Sequence, residues 1–446
     1  MSHTLPLSRR AARRHDREIF ALALPAFGAL VAEPLFVLVD SAIVGHLGTR
    51  PLAGLSVAAT LLTTAVGVFV FLAYATTAAV SRRVGAGDLR AAIRQGMDGI
   101  WLGLLLGAVI ALLVLPTAPA VVQLFGASPA AAPYAAEYLR ISALGIPAMF
   151  AVLAATGVLR GLQDTRTPLY VAIGGFTANA ALNIGLVQGA GLGIAGSAWG
   201  TVIAQCAMAA CYLAVVVRGA RRHGASLRPD AAGIRACAQA GAPLLVRTLA
   251  LRTVLMTATA VAARLGDSEV AAHQIVLSLW YLLGYAMDAL AIAGQAIIGR
   301  SLGSGDTEGA RAACRRMVQW GITAGVLLGV LLAMTRPLLL PLFTTDAAVR
   351  SAALPALLVA ALSLPVTGVV CVLDGVLTGA GDGPYLAWAM LGVLAVFTPA
   401  ALLVPALGGG LTLLWCAMAL MLLTRTVTLW ARARSGRWLV TGAVRG

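Results

Sequence analysis

The chain has 446 residues, 60% of them hydrophobic and only 11% charged, with a mean hydropathy of +0.91. A soluble domain carries about a quarter charged residues, so this composition excludes one and points to an all-α polytopic membrane protein. The formal charge is +15, and every basic residue is Arg; these arginines cluster between apolar runs, the pattern of cytoplasmic loops and not of a nucleic-acid surface.

Twelve apolar runs predict twelve transmembrane helices, near 19–46, 52–80, 97–115, 133–158, 168–188, 193–217, 240–264, 270–298, 317–335, 351–378, 385–407 and 410–430. The basic stretch Arg9–Arg17 leads straight into a full-length span, so no cleavable signal peptide is expected. An even count puts both termini on one side. The N-tail (1–18), the loops after spans two, four and eight, the linker 218–239 and the C-tail (431–446) are rich in Arg. The opposite loops hold only Arg50, Arg264, Arg336 and Arg350. By the positive-inside rule both tails are cytoplasmic.

The first span, within AEPLFVLVDSAIVGHLG (32–48), places Glu33 and Asp40 in an apolar run. A charge at mid-bilayer costs about 3 kcal/mol or more, so such a residue is a functional candidate by default. Seven residues make two helical turns, which puts both acids on one face. Pro34, and Pro25 before it, are expected to bend the helix. The first half offers these acids no obvious basic partner, because Arg140 lies beside Glu137 and reads as a local helix pair. A proton or a bound cation is therefore expected to neutralise them. Glu33 is either a helper of Asp40 or a residue nearer the lobe surface.

Further on, SRRVGAGD (81–88) lacks the Lys and Ser/Thr of a phosphate-binding loop. Its glycines are expected to end one helix and Asp88 to cap the next. Span five contributes Asn179 and Asn183, one turn apart, and span six contributes Thr201 and Gln205. These either line a wet cavity in the N-lobe or bond between helices.

The chain then repeats itself at an offset near 218. Leu47-Gly48 matches Leu265-Gly266, SRRVGAGD matches GRSLGSGD (299–306), Pro147 matches Pro365, and GVLRGLQD (157–164) matches GVLTGAGD (375–382). Two six-span halves that enter the bilayer from the same side form a parallel repeat. They predict an N-lobe at 19–217 and a C-lobe at 240–430. Asp40 has no acidic counterpart, since its matching position is Ala258. The second half carries a different set: Arg247 and Arg252 in span seven, Asp288 and Gln295 in span eight, and Asp374 in span ten. Two acids and two bases form either a self-neutralising structural or gating network or a second coupling or substrate site.

No catalytic constellation is present: there is no HExxH and no GxSxG elbow, and the five His lie in tails or near span ends. The six Cys are scattered and form no CxxC. No enzyme activity, cofactor or metal site is expected.

Several segments, taken in order, resemble the MATE (multidrug and toxic compound extrusion) transporters, in their DinF (DNA-damage-inducible F) branch. They are PLFVLVDSAIVGHLGTRPLAGLSVAAT, GVLRGLQDTRTPLY, GIAGSAWGTVIAQ, RLGDSEVAAHQI, YAMDALAIAGQAIIGRSLGSGD and LDGVLTGAGD. The resemblance implies two six-helix lobes in a V. It implies export of organic, lipophilic cationic compounds by alternating access, driven by a proton or sodium gradient. The protonation site of the first helix falls on Asp40, and the N-lobe cavity residues on Asn179, Asn183 and Thr201. The chain departs from relatives by having Asn183 and Gln295 where acids stand, and by lacking an acid in span seven; each departure favours proton over sodium coupling. The partners expected are a small organic substrate, protons and membrane lipid, with a monomeric protein in a bacterial-type plasma membrane. Two alternatives are a flippase for lipid or lipid-linked glycan, for which Arg247 and Arg252 are the phosphate-binding candidates, and an organic-anion exporter, against which Glu33 and Asp40 argue.

Overall fold

The computed structural model describes residues 9–444, apart from the side chains of residues 9–14, Glu33 and Phe36. All regular elements among them are helical: α1 (Arg9–Gly45), α2 (Thr49–Phe69), α3 (Phe71–Gly85), α4 (Leu89–Leu124), α5 (Ala132–Ala143), α6 (Ile146–Gly161), α7 (Arg166–Asn183), α8 (Gly193–Arg222), α9 (Ala231–Leu265), α10 (Asp267–Gly303), α11 (Thr307–Phe343), α12 (Ala347–Gly379), α13 (Gly383–Leu403) and α14 (Gly410–Ser435). A π-helical turn, Ile184–Gly189, continues α7. Eleven stretches are each long and apolar enough to cross a bilayer, with α2 and α3 forming one of them, and α5 with α6, bent by 54°, makes a twelfth. Leu112, Met334, Leu338 and Trp388 stand exposed on the outside of their helices, as lipid-facing side chains do.

Helices outrun the apolar windows that announce them. In the GxGD loops Gly87 and Gly305 adopt φ near +80°, and Asp88 and Asp306 accept from the backbone N–H of Ala91 (2.8 Å) and Gly309 (2.7 Å). These caps start α4 and α11 well before their apolar cores. The stretch 218–239, expected to be a polar linker, is helical up to Arg222 and again from Ala231. The expected N-tail is helical from Arg9, and α14 continues to Ser435. Through Pro25 and Pro34 α1 stays helical. Breaks occur instead at Val70 and at Leu144–Gly145, next to Pro147.

The chain divides into two compact units. One is Gly28–Gly241; the other joins the chain before Gly28 to the chain after Gly241. The division thus falls inside α1, between its two prolines. The start of α1 is tied to the second unit by specific bonds. Asp16 accepts from Arg316 Nε (2.6 Å) and Nη2 (2.8 Å) and from Trp320 Nε1 (2.7 Å). Glu18 pairs with Arg300, and Phe20 stacks edge-on against Trp320.

Both units are assembled around the same glycine contacts. A methyl group on Gly103 would lie 2.8 Å from the carbonyl oxygen of Phe150, and one on Gly321 would lie 2.7 Å from that of Gly368. On Gly107 and Gly325 it would meet the Cα of Pro147 and Pro365, at 2.5 and 2.6 Å. The Cβ of Gly157 would press on the Ala73 carbonyl and that of Gly375 on the Ala291 carbonyl. Each pair is separated by the repeat offset. Backbone-to-backbone approach at small residues is how membrane helices pack where lipid offers no hydrophobic drive.

Candidate functional site

The unit Gly28–Gly241 holds a cavity of about 240 Å³ between α1, α2, α5, α6, α7 and α8. Asp40 lines it and is only 6% exposed. Its Oδ1 accepts from Asn183 Nδ2 at 2.6 Å and from Ser197 Oγ at 2.8 Å. Asn179 Nδ2 donates to Thr201 Oγ1 (3.1 Å), Thr201 Oγ1 donates to the Ser197 carbonyl (3.0 Å), and the Tyr138 hydroxyl lies 3.5 Å from Thr201 Oγ1. A continuous polar shell thus surrounds one carboxylate. Among the described residues no Arg or His pairs with Asp40.

Local backbone chemistry aims these groups. Asn179 and Asn183 are one helical turn apart, so both present to the same side of α7. The π turn begins directly after Asn183, a feature often found at functional sites. Gly191 and Gly193 then take positive φ and return the chain into α8, where Ser197 and Thr201 are again one turn apart. Gly200 leaves room for the Asn183 amide: a Cβ there would collide with Asn183 Oδ1.

The other unit fills the equivalent positions with apolar packing. Asp40 corresponds to Ala258 and Tyr138 to Ala356. At the entry to α14 the left-handed glycines Gly408 and Gly410 match Gly191 and Gly193, which sets Leu414 against Ser197. Ala258, Ala356 and Leu414 are all fully buried in one hydrophobic cluster. Its charges sit elsewhere. Arg247 grips Asp374 with two nitrogens, and Arg425 Nη2 donates to Asp374 Oδ1 at 3.0 Å. All three side chains are about nine-tenths buried.

Each residue singled out in the sequence can now be placed. Asp40, Asn179, Asn183 and Thr201 come together, and Gln205 lines the same cavity. Glu33 lies outside the described side chains. The network expected in the second half is smaller than its sequence candidates. Arg247 and Asp374 pair, whereas Arg252 and Gln295 bond to neither of them. Gln295 stands at the α10–α12 crossing, where its backbone meets Gly379, as Thr77 meets Gly161 in the other unit. Asp288 shares no ion pair with the cluster among the described residues. The Glu137–Arg140 helix pair is not formed; both side chains are exposed, where such a contact is worth only a few tenths of a kcal/mol. Three members were not visible in the sequence: Ser197, Tyr138 and Arg425. A signal existed for Ser197, which lies four residues before Thr201 on one helical face; an isolated Tyr in an apolar helix gives none.

Twelve apolar spans in two repeat-related units, one of them enclosing a cavity with a buried acid, are the architecture of an integral membrane transporter. Comparison with known proteins agrees. The MatE family profile matches residues 25–184 and 243–403. Protein DETOXIFICATION 44, chloroplastic, of Arabidopsis thaliana is 32% identical over 443 residues, covering 94% of this chain and 83% of the relative. DNA damage-inducible protein F of Escherichia coli K12 is 31% identical over 437 residues, covering 95% and 94%. The fold matches the Vibrio cholerae MATE transporter VcmN in its bent form (TM-score 0.86, 23% identity, 97% and 98% covered). It also matches a MOP superfamily transporter from Pyrococcus furiosus (TM-score 0.86, 19% identity, 94% and 95% covered). The chain belongs to the MATE family, whose members are transporters and not enzymes.

Proposed function

We propose that this transporter is a proton-coupled antiporter that exports organic compounds bearing a cationic group by alternating access. The observation that carries the reading is Asp40: a buried carboxylate in a cavity wall, held by two neutral donors, with no cation paired to it among the described residues. A proton and a substrate ammonium compete for the same oxygens, and that competition is the basis of antiport. Protonation turns Asp40 from an acceptor into a donor. Asn183 Oδ1, buried without a hydrogen-bond partner, offers a place for that proton. Among the described side chains Asp40 is the one carboxylate in the cavity lining, which suits a single proton better than a hard cation needing several oxygen ligands. Because α1 belongs to both units, a change in its packing at Asp40 reaches the residues before Gly28, and Pro25 and Pro34 flank the point where it passes from one unit to the other.

The Arg distribution supports cytoplasmic termini, and the repeat at an offset near 218 supports an N-lobe at 19–217 and a C-lobe at 240–430; we propose residence in a bacterial-type plasma membrane as a monomer. The flippase alternative is weakened because Arg247, one of its two phosphate-binding candidates, is engaged by Asp374.

The test uses purified protein in proteoliposomes, with proton and sodium gradients imposed separately and a panel of organic cations as cargo. A proton gradient alone should drive accumulation, and Asp40→Asn should abolish it while the variant stays folded. Accumulation by that variant at the wild-type rate, or a requirement for sodium, would overturn the proposal.

A further inference from the structure

The outer face of α8 changes character along its length. Ile203, Ala207, Cys211 and Ala214 are exposed and recur at helical spacing, so they form one apolar stripe. Arg218, Arg221 and Arg222 continue that stripe and are exposed as well. From Ala207 to Arg218 the helix rises about 16 Å, close to half of a hydrocarbon core about 30 Å thick. None of the three arginines has an ion pair or a side-chain hydrogen bond among the described residues. The acids in the loops at that end are already used: Asp88 and Asp164 cap helices, and Asp230 pairs with Arg94 at 2.9 Å. The other unit instead sets Glu18, Asp16 and Asp382 against Arg300, Arg316 and Arg432. A helix C-terminus favours a basic residue, but three at spacings of three and four repel one another. The repeat does not demand them either. At the offset set by Gly191 and Gly408, Arg218 matches Ser435, the last residue of α14. Helix α8 runs one turn further, and that turn carries Arg221 and Arg222.

We propose that this face of α8 binds an anionic phospholipid in the leaflet where α8 ends, the cytoplasmic one in the reading above. The phosphate lies on Arg218 and Arg221, with Arg222 beside them, and an acyl chain runs along Ala214, Cys211 and Ala207. The stripe decides the occupant. A soluble phosphate would use the arginines alone, whereas a phospholipid matches both the charge and the hydrocarbon depth in one molecule. A guanidinium holds a phosphate through two parallel hydrogen bonds, and the ammonium or choline group of a zwitterionic lipid opposes that attraction. An anionic surface attracts each basic residue beside it, so three on one face add up. Bound there, the lipid supplies the counter-charge that acids of the chain supply in the other unit. It also fixes the depth of the helix that carries Ser197 and Thr201 into the polar shell.

The experiment is native mass spectrometry of the full chain in detergent, titrated with dioleoylphosphatidylglycerol or dioleoylphosphatidylcholine. The anionic lipid should bind tighter. The triple variant Arg218→Gln/Arg221→Gln/Arg222→Gln should weaken it by about 10- to 100-fold and leave the zwitterionic lipid unchanged. As a control, Arg90→Gln/Arg311→Gln/Arg315→Gln removes the same charge from exposed arginines elsewhere and should keep the preference. A second measurement needs no variant to fold. Phosphatidylglycerol with a photoactivatable acyl chain, in nanodiscs, should label the segment 203–218 of the wild-type protein more than the matched phosphatidylcholine does. Equal labelling by the two lipids, or equal losses in the two triple variants, would overturn the proposal. So would loss of the labelling in millimolar inorganic phosphate, the mark of a site for a soluble anion. Neither assay imposes a gradient or a sidedness, so an error in coupling or orientation would leave both results intact.

Discussion

Gly200→Ala probes the polar shell without touching a polar atom. The added methyl falls on Asn183 Oδ1 and sits 3.2 Å from its Cγ and 3.3 Å from its backbone nitrogen. The helix backbone has little room to yield, so the Asn183 side chain has to rotate. Rotation breaks the 2.6 Å bond from its Nδ2 to Asp40 Oδ1 and leaves Ser197 Oγ to hold that oxygen. A hydrogen bond to a charged group is worth about 1.5–3 kcal/mol, and the strain of overpacking adds about 1 kcal/mol or more. The single variant should therefore lose about 2.5–4 kcal/mol. Asn183→Ala should lose about 1.5–3 kcal/mol by removing the donor outright. The double variant is the decisive case. With the amide gone the methyl has space, so Gly200→Ala on that background should add almost nothing. Denaturant or thermal unfolding of the four proteins in one detergent, run alongside proton-driven transport, measures the cycle. Costs that simply add, or a Gly200→Ala protein that transports normally, would refute the proposed link between Gly200, Asn183 and Asp40.

Asp374→Asn should destabilise by about 3–5 kcal/mol, because it strands the buried guanidiniums of Arg247 and Arg425; a lowered unfolding midpoint and poor yield would report it. Arg252→Ala, which touches no ion pair among the described residues, should cost less than about 1 kcal/mol in the same assay. Gly103→Ala and Gly321→Ala should lower the midpoint by similar amounts, about 1–3 kcal/mol each, since both put a methyl against a facing carbonyl. Gly174→Ala, where nothing lies within 4 Å, should instead be neutral or stabilising by up to about 1 kcal/mol.

The spans and the repeat were legible because apolar runs and turn residues report directly on the chain that carries them. Asp40 was legible for the opposite reason: a carboxylate in such a run is costly enough to demand an explanation. Asn179 and Asn183 followed from spacing on one helix. Ser197 and Tyr138 could not be read in the same way. Each meets the shell from another part of the chain, and a Ser or Tyr in a membrane helix is common enough to carry no signal alone. The charge census of the second half misled for a related reason. Counting acids and bases by span suggested Arg252 as a partner, but direction around the helix decides who meets Asp374, and Arg425, near the end of the chain, is the one that arrives.

The π turn after Asn183 makes the site depend on residue count as well as residue type. From Asp164 to Gly191 the chain is one residue longer than from Asp382 to Gly408, its counterpart. A π turn holds one residue more than an α turn, so it is a place where such an insertion can be absorbed inside a helix without lengthening a loop. Deleting a single codon within 184–189 would let the helix close into α geometry and swing Asn179 and Asn183 by roughly 100° relative to everything that follows. Every polar side chain would survive in the sequence, and Asp40 would still lose its amide. Such a lesion would be invisible to any scan of substitutions, and it offers a route by which two copies of one ancestral half could have come to differ in function before they differed in composition.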